Sequence, residues 1–338
     1  MRYSIFSVQD HYPGGARTVP EFYAETIAMA EAAERLGYDT VFLAEHHFHE
    51  YGVIPDPAVM LAALAQRTRR IRLGTAISNL VFRHPATVAE SYAMVDVLSG
   101  GRLVLGVGSG YLKHEFAGFQ IPPEEKRQRF DEALGLVRRL LAGERVSHAG
   151  QFFKLEEVAL NLRPLQQPTP PIYIAILSKE GAYFIGRQGS RLQTVPYASL
   201  TSLAQVAELE AEYRRGLAEG GHVGMDDDVV HMFHCHVAET DAAARRGAAE
   251  AFELYVETRL YAYKRRYDDV LASGLGLFGS VETVAETLVA LHGMGVRHVS
   301  LLQNFGNLAH ERMLRSMRLF AEEVMPRVRR RIAKEVSA

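Results

Sequence analysis

The sequence predicts an α/β chain folded as a closed (β/α)8 barrel. Three observations lead there. Strand-like and helix-like segments alternate from end to end, eight strand-like runs can be counted, and those runs are rich in Val, Ile and Leu. Continuous apolar runs suit parallel strands buried on both faces. An open doubly wound sheet would show the same alternation, and the count of eight favours the TIM barrel.

Each element has its own warrant. Tyr3–Val8 reads as the first strand. Phe22, Met29, Ala33 and Leu36 then recur at helical spacing, and Gly37 supplies the stop. Asp39–Ala44 is the second strand, followed by a helix with Met60, Leu61 and Leu64, whose first turn suits Pro57. Ile71–Ile77 is the third strand. Val88, Tyr92 and Val95 mark a helix that ends at Gly100-Gly101, and Arg102–Val107 is the fourth strand. Phe130, Leu134, Val137 and Leu141 trace the next helix. Ile172–Ile176, Leu192–Val195, Val229–Val237 and Arg297–Leu302 complete the eight strands. Met317, Phe320 and Val324 belong to a last helix stopped by Pro326.

Residues 1–338 read as one domain, since this length is routine for a single barrel. Two stretches are too long for simple connections. In 142–171, the run Gln151-Phe152-Phe153-Lys154-Leu155 suggests a small hairpin. In 255–279, Tyr255, Tyr261, Tyr263 and Tyr267 sit among Arg and Lys residues, as either a lid or an extra helix.

A net charge of −2 without a charged tail argues against a nucleic-acid or anionic-membrane partner. Cys235 is the single cysteine, so no intrachain disulfide forms. No apolar run approaches membrane-spanning length. The first residues run directly into strand-like sequence and lack a secretory apolar stretch. The expected location is therefore the cytoplasm.

The chemistry-bearing segment is Glu45-His46-His47-Phe48, directly after Thr40-Val41-Phe42-Leu43-Ala44. In an eightfold barrel, residues just past a strand's C-terminal end line the active-site mouth. An imidazole there could serve as acid, base or hydrogen-bond donor. Neighbouring side chains diverge, so His46 and His47 cannot both face one pocket. A metal-dependent hydrolase is a competing class, because His47 and His49 form an H-x-H pair near Glu45 and Glu50, and His234-Cys235-His236 repeats it. The closed ligand set that a metal needs is missing, and no metal site is assigned.

Two turns could hold a phosphate-bearing ligand. Gly106-Val107-Gly108-Ser109-Gly110-Tyr111 exposes backbone N–H groups after the fourth strand, although G-x-G-x-G is not the dinucleotide fingerprint and no helix pattern starts directly behind it. After the fifth strand, Leu177-Ser178-Lys179-Glu180-Gly181 enters a helix. There Ser178 serves as an N-cap, and the same geometry suits an anion. Neither G-x-x-x-x-G-K-[ST] nor G-x-S-x-G occurs, which disfavours an NTP site and an α/β-hydrolase nucleophile.

Taken in order, these blocks resemble the bacterial luciferase-like, flavin-dependent monooxygenases. The resemblance begins at Tyr38–Phe48 and runs through Leu73–Ile77, Arg83-His84-Pro85 and Asp96–Gly108. It closes with Gly279–Glu282 and Phe320–Pro326. It implies a luciferase-like barrel, usually dimeric, with flavin mononucleotide (FMN) at the C-terminal mouth. By position His46 is the catalytic histidine and Glu45 the carboxylate near the flavin. The flavin ring meets a bulge at Ala76-Ile77, often with a cis non-proline bond. Ser109, Gly110, Tyr111, Leu177, Ser178 and Gly181 fall at cofactor-binding positions. Luciferase carries an arginine where Ser109 stands, a cysteine where Gly108 stands and a carboxylate where Leu177 stands. These differences point away from aldehyde luminescence, towards the broader monooxygenase branch. Phosphate binding must then rest on N–H groups, Ser109 and Ser178, with Lys179 or Arg187 as candidate cations.

The resemblance thus implies an FMN-dependent monooxygenase that takes reduced FMN from a separate NAD(P)H flavin reductase and uses O2 on a small organic substrate. His11, Phe48 and Phe82 are candidate substrate contacts. Two alternatives on the same fold remain, an oxidoreductase transferring hydride with deazaflavin F420 and a flavin-binding protein without turnover.

Overall fold

Burial explains the strand composition. β1 (Arg2–Ser7), β2 (Thr40–Leu43), β3 (Arg72–Thr75), β5 (Leu103–Gly108), β8 (Ile172–Ile176), β9 (Arg191–Thr194), β10 (Val229–Ala238) and β12 (His298–Leu302) pair in parallel around a closed barrel. Ile5 sits opposite Val41, Val41 opposite Leu73, and Leu73 opposite Leu103. Further round, Ile174 faces Leu192, and Val230 faces Gln193 on one side and His298 on the other. Ser4 opposite Ser300 completes the ring. The eight runs counted in the sequence are these eight strands. The computed structural model describes residues 1–337 apart from 16, 50–51, 227 and 260–263.

Helices cover the outside: α1 (Val19–Arg35), α2 (Pro57–Arg67), α3 (Pro85–Ser99), α4 (Lys113–Gly118), α5 (Lys126–Leu141), α6 (Lys179–Arg187), α7 (Pro196–Ser199), α8 (Ala204–Glu219), α9 (Asp241–Thr258), α10 (Tyr267–Ala272), α11 (Val281–Gly293), α12 (His310–Leu319) and α13 (Met325–Ser337). The remaining strands are β4 (Ser78–Asn79), the antiparallel pair β6 (Val146–Ala149) and β7 (Lys154–Val158), and β11 (Gly276–Ser280).

Four features depart from the sequence reading. Pro326 does not stop the last helix: after a π-helical turn at Phe320–Val324, α13 starts at Met325 and places Pro326 in its first turn, where the missing N–H costs no helical bond. The third strand does not run unbroken from Ile71 to Ile77. It stops at Thr75, passes through a cis Ala76-Ile77 bond, as the resemblance but not the periodicity implies, and resumes as β4 against β5. A parallel strand, β11, begins inside the 255–279 stretch, ends one residue beyond it, and pairs with the C-terminal half of β10. The same stretch holds the end of α9 and all of α10. Tyr255 and Tyr267 are buried core residues, and Tyr261 and Tyr263 lie outside the described residues. Finally, α4 starts three residues after Gly110 and is too short, at 6 residues, for a helical period to register in the sequence.

The Asp96–Gly108 block divides by role. Its first half fastens the barrel. Gly100 ends α3 in the left-handed conformation, with φ 70°, where a Cβ is disfavoured. Asp96 accepts hydrogen bonds from the Gln166 side chain and backbone, at 2.7 and 3.0 Å. Arg102 donates to the carbonyls of Ser99 (2.6 Å) and Ile71 (2.7 Å) and to the Thr68 hydroxyl (2.9 Å), tying α2 to the start of β5. The β6–β7 hairpin is held by Glu132 on α5, which accepts from Phe153 N–H at 2.9 Å and lies 3.0 Å from His148 Nε2.

One buried group makes stability depend on pH. His236, at the end of β10, is held down to a pKa of about 4 by burial first and repulsion from Arg312 second. The unfolded chain protonates this histidine near 6.5, and the folded chain does not. Its contribution to stability is therefore whole above pH 6.5 and is lost as pH falls towards 4, by about 3 kcal/mol in all. Urea midpoints measured between pH 7 and pH 4.5 should drop less steeply in His236→Gln than in the parent.

Candidate active site

A cavity of ≈ 260 Å³ opens at the C-terminal ends of the barrel strands. Its walls are largely apolar, with Phe6 and Val8 from the first strand's end, Met232 from β10 and Leu302 from β12. Against this background a few polar groups converge, the usual anatomy of a cofactor or substrate pocket.

The first come from the end of β2. Ala44, Glu45 and His46 stay buried after the strand stops, and all three line the cavity. The Glu45 carboxylate is 3.0 Å from His47 Nε2 and accepts from Ser78 Oγ (3.0 Å) and Asn79 N–H (3.2 Å). It thus ties the second strand's end to the third strand's bulge. Burial pushes its pKa up, and the hydrogen bond from His47 opposes that rise. His46 lies with Nδ1 3.5 Å from Glu115 Oε1. Burial lowers its pKa, the Glu115 carboxylate pulls the other way, and the Arg259 guanidinium adds repulsion. The imidazole is neutral at pH 7 and can give or take one proton.

His47 turns away from the cavity. Its ring packs edge-on against Phe119 at 4.8 Å and Phe82 at 6.0 Å, and its backbone N–H donates to Glu115 Oε1 at 3.0 Å. Carboxylate and histidine are therefore paired in a crossed fashion, Glu45 with His47 and Glu115 with His46. The spacing in the sequence could not reveal this, because Glu115 arrives from α4.

Backbone geometry shapes the rest. Gly108 lies under Ile77, where an added Cβ would sit 2.1 Å from Ile77 Cδ1. Ser109, Gly110 and Tyr111 follow along the cavity wall, with Gly110 at φ 69°. Buried polar atoms on lining residues without a hydrogen-bond partner among the described residues include Asn79 Oδ1, Gln193 Oε1, Thr194 Oγ1 and both ring nitrogens of His234. Such atoms are costly unless a ligand or water satisfies them.

Of the residues singled out from the sequence, the cavity collects Glu45, His46, Ala76, Ile77, Ser109, Gly110, Tyr111 and Leu177. Ser178 and Gly181 are not on the lining. Ser178 Oγ accepts from Gly181 N–H at 3.3 Å as an ordinary helix cap. Lys179 is paired with Glu208 at 2.6 Å, away from the cavity, and Lys126 on α5 is the cation among the described lining residues. His11, Phe48 and Phe82 also lie off the lining. His11 Nε2 meets the Arg17 carbonyl at 2.9 Å, Phe48 is 64% exposed, and Phe82 stacks on Phe119 at 4.7 Å. Sequence reasoning missed Asn79, Glu115, Lys126, Gln193, Thr194 and His234. Gln193 and Thr194 carried a usable signal, since they are polar residues inside an apolar strand run. His234 carried one too, as half of the second His-x-His, but that pattern points only to a metal ligand; Asn79, Glu115 and Lys126 carried none.

Among the described residues, no group of three or more His, Cys, Asp or Glu side chains could hold a metal ion. His47 is engaged by Glu45 and His49 packs beside His114, while Glu50 lies outside the described residues. Among the described residues, no helix is long and apolar enough to cross a membrane.

The chain is similar to known proteins in sequence and fold. The crystal structure of monooxygenase RslO1 from Streptomyces bottropensis superposes with a TM-score of 0.90 at 33% identity, covering 96% of this chain and 99% of that one. The oxygenase component of a flavin-dependent trigonelline monooxygenase from Acinetobacter baylyi is 26% identical, over 96% of this chain and 95% of that protein. An F420-dependent glucose-6-phosphate dehydrogenase from Microbacterium testaceum is 27% identical, over 91% and 94%. The sequence pattern of the luciferase-like monooxygenases matches residues 1–298, and the chain belongs to that family of oxidoreductases.

Proposed function

We propose that this chain is the oxygenase of a two-component, FMN-dependent monooxygenase. The observation that carries this is the convergence of buried His46 and Glu45, the Ala76-Ile77 bulge and the Gly108–Tyr111 turn on one cavity at the barrel mouth. The fit to a flavin ring rests on the unpartnered Asn79 Oδ1, Gln193 Oε1 and Thr194 Oγ1, which suit a flat heterocycle with donors and acceptors along its rim. Ser109, the N–H groups of the Gly-rich turn and Lys126 would hold the phosphate, with Leu177 packing beside it. Lys126 is the cation in this reading, rather than Lys179 or Arg187, neither of which lines the cavity.

When bound, reduced flavin supplies the activation of molecular oxygen. The protein's own share is to position the ring, exclude water and manage one proton. Neutral His46 is placed to donate to a developing oxyanion. Glu115 orients that imidazole, while Glu45 holds His47 and the bulge in place. Reduced FMN would come from a separate flavin reductase by brief encounter, a reading favoured by the likeness to an oxygenase component.

F420 is the competing cofactor, and one F420-dependent relative aligns along nearly the whole chain. FMN is favoured because F420 carries a phosphodiester and a polyglutamate tail, whereas the described lining offers one cation, Lys126, against Glu45 and Glu115. Parallel titrations decide between them. FMN should bind and F420 should bind at least about tenfold more weakly, a gap of about 1.4 kcal/mol. Failure of both oxidised and reduced FMN to bind would end this reading.

A homodimer is part of the proposal. Met94, Val97 and Leu98 share one face of α3 at i, i+3 and i+4, and with Val59 on the adjacent α2 they are exposed large hydrophobics. A second copy of the same face would cover them. Light scattering should give a dimer mass for the parent and a monomer mass for Met94→Lys.

A further inference from the structure

The second His-x-His of the chain, His234-Cys235-His236, takes no part in the chemistry above. His234 is 1% exposed, lies in β10 and lines the same cavity as His46. Neither of its ring nitrogens has a hydrogen-bond partner among the described residues. Two other buried histidines each have one ring nitrogen engaged: His231 meets Glu210 at 2.8 Å and His298 meets Ser4 at 2.7 Å. His234 is instead gripped edge-on by four rings, Tyr255 at 4.7 Å, Phe252 at 5.0 Å, Tyr197 at 5.1 Å and Phe305 at 5.6 Å. Packing fixes the imidazole and leaves its hydrogen-bonding capacity to whatever enters the cavity.

Burial, with Arg259 second, holds the His234 imidazole neutral, so it offers one donor and one acceptor. The Arg259 guanidinium stacks 4.1 Å over the Tyr255 ring and lays positive potential on this end of the cavity. That potential favours an oxygen acceptor over a cationic group. Tyr255 itself lines the cavity and supplies aromatic surface beside the histidine.

We infer that His234 is a substrate-positioning residue that hydrogen-bonds a carbonyl or hydroxyl oxygen carried on a planar, apolar ring skeleton. Only the word substrate rests on the monooxygenase reading; the binding site stands without it. His46 and His234 would then divide the cavity's work, one at the reacting centre and one at the far anchor of the ligand.

The matched probes are 2-naphthol and naphthalene, which differ by one oxygen, measured by calorimetry on the full chain. The parent should bind 2-naphthol about tenfold more tightly than naphthalene, the worth of one well-placed hydrogen bond. His234→Phe should bind the two within roughly twofold of each other, and His234→Gln, which keeps a donor and an acceptor, should retain part of the preference. Thermal unfolding checks each variant, and His234→Leu replaces the phenylalanine variant if that one does not fold. An undiminished oxygen preference in the variant lacking the imidazole overturns the inference, as does failure of the parent to bind 2-naphthol. FMN titration of the same proteins is read separately. A parent that binds no FMN counts against the proposed reaction and leaves the naphthol comparison standing.

Discussion

Replacing His46 with asparagine should lower turnover by about 10²–10⁴-fold, the range that a positioned proton donor or acceptor contributes. FMN affinity should change by no more than a few fold, because the walls that would hold the ring are contributed by the bulge at Ala76-Ile77 and the turn at Gly108–Tyr111. Asparagine keeps a donor in roughly the same place but cannot give up a proton near neutrality. The loss should therefore fall on kcat, with the midpoint of a flavin titration unmoved. Single-turnover product formation from pre-loaded reduced flavin is the decisive measurement. A variant that turns over normally would show that His46 is part of the wall only, as expected of a flavin carrier without catalysis. Glu115→Gln should have a milder effect, since it keeps the shape beside His46 Nδ1 and removes only the charge.

Gly106→Ala should have the largest structural effect of any single methyl near the site. The new Cβ would stand 2.1 Å from the Thr75 carbonyl oxygen and 2.3 Å from Gln193 Oε1. Gln193 can swing away, but the Thr75 carbonyl is backbone, fixed between β2 and β5 by parallel pairing and by the Thr75 hydroxyl bond to the Gly106 carbonyl at 2.6 Å. Overpacking of this kind costs about 1–3 kcal/mol. The displaced strand end is the one that leads into the Ala76-Ile77 bulge, so weaker FMN binding should accompany the lower urea midpoint. Gly135→Ala is the control, because a Cβ there meets nothing within 4 Å. It should leave both measurements unchanged or slightly improved, as expected for glycine within α5.

The match between sequence and structure is uneven for physical reasons. The barrel strands were legible because burial on both faces forces continuous apolar runs, and Gly37 and Gly100 punctuate the chain where left-handed backbone is needed. The break after Thr75 was not legible from periodicity, since Ile71–Ile77 is apolar enough to read as one strand. β11 was hidden for a similar reason. Gly276-Leu277-Phe278-Gly279 is short, glycine-flanked and follows a tyrosine-rich stretch that suggests an insertion. Within the site, residues adjacent to a strand's end could be found by position alone, as Glu45, His46 and Ser109 were. Residues brought in by helices or by a neighbouring strand could not. Glu115 and Lys126 lie in unremarkable charged stretches of α4 and α5, and His234 looked like half of a metal motif.

The sequence by itself determined the fold and the place of the candidate site. Period, strand count and turn residues are local properties, and a closed parallel barrel obliges the residues after its strands to meet at one mouth. Only the tertiary structure decided the partners: which histidine faces the cavity, which carboxylate stands beside it, and which lysine lines its wall. Those choices depend on side-chain directions and on loops that cross between strands far apart in the chain. The pair Glu45-His46 is adjacent in sequence, yet each of its members finds its partner elsewhere, Glu45 in His47 and His46 in Glu115.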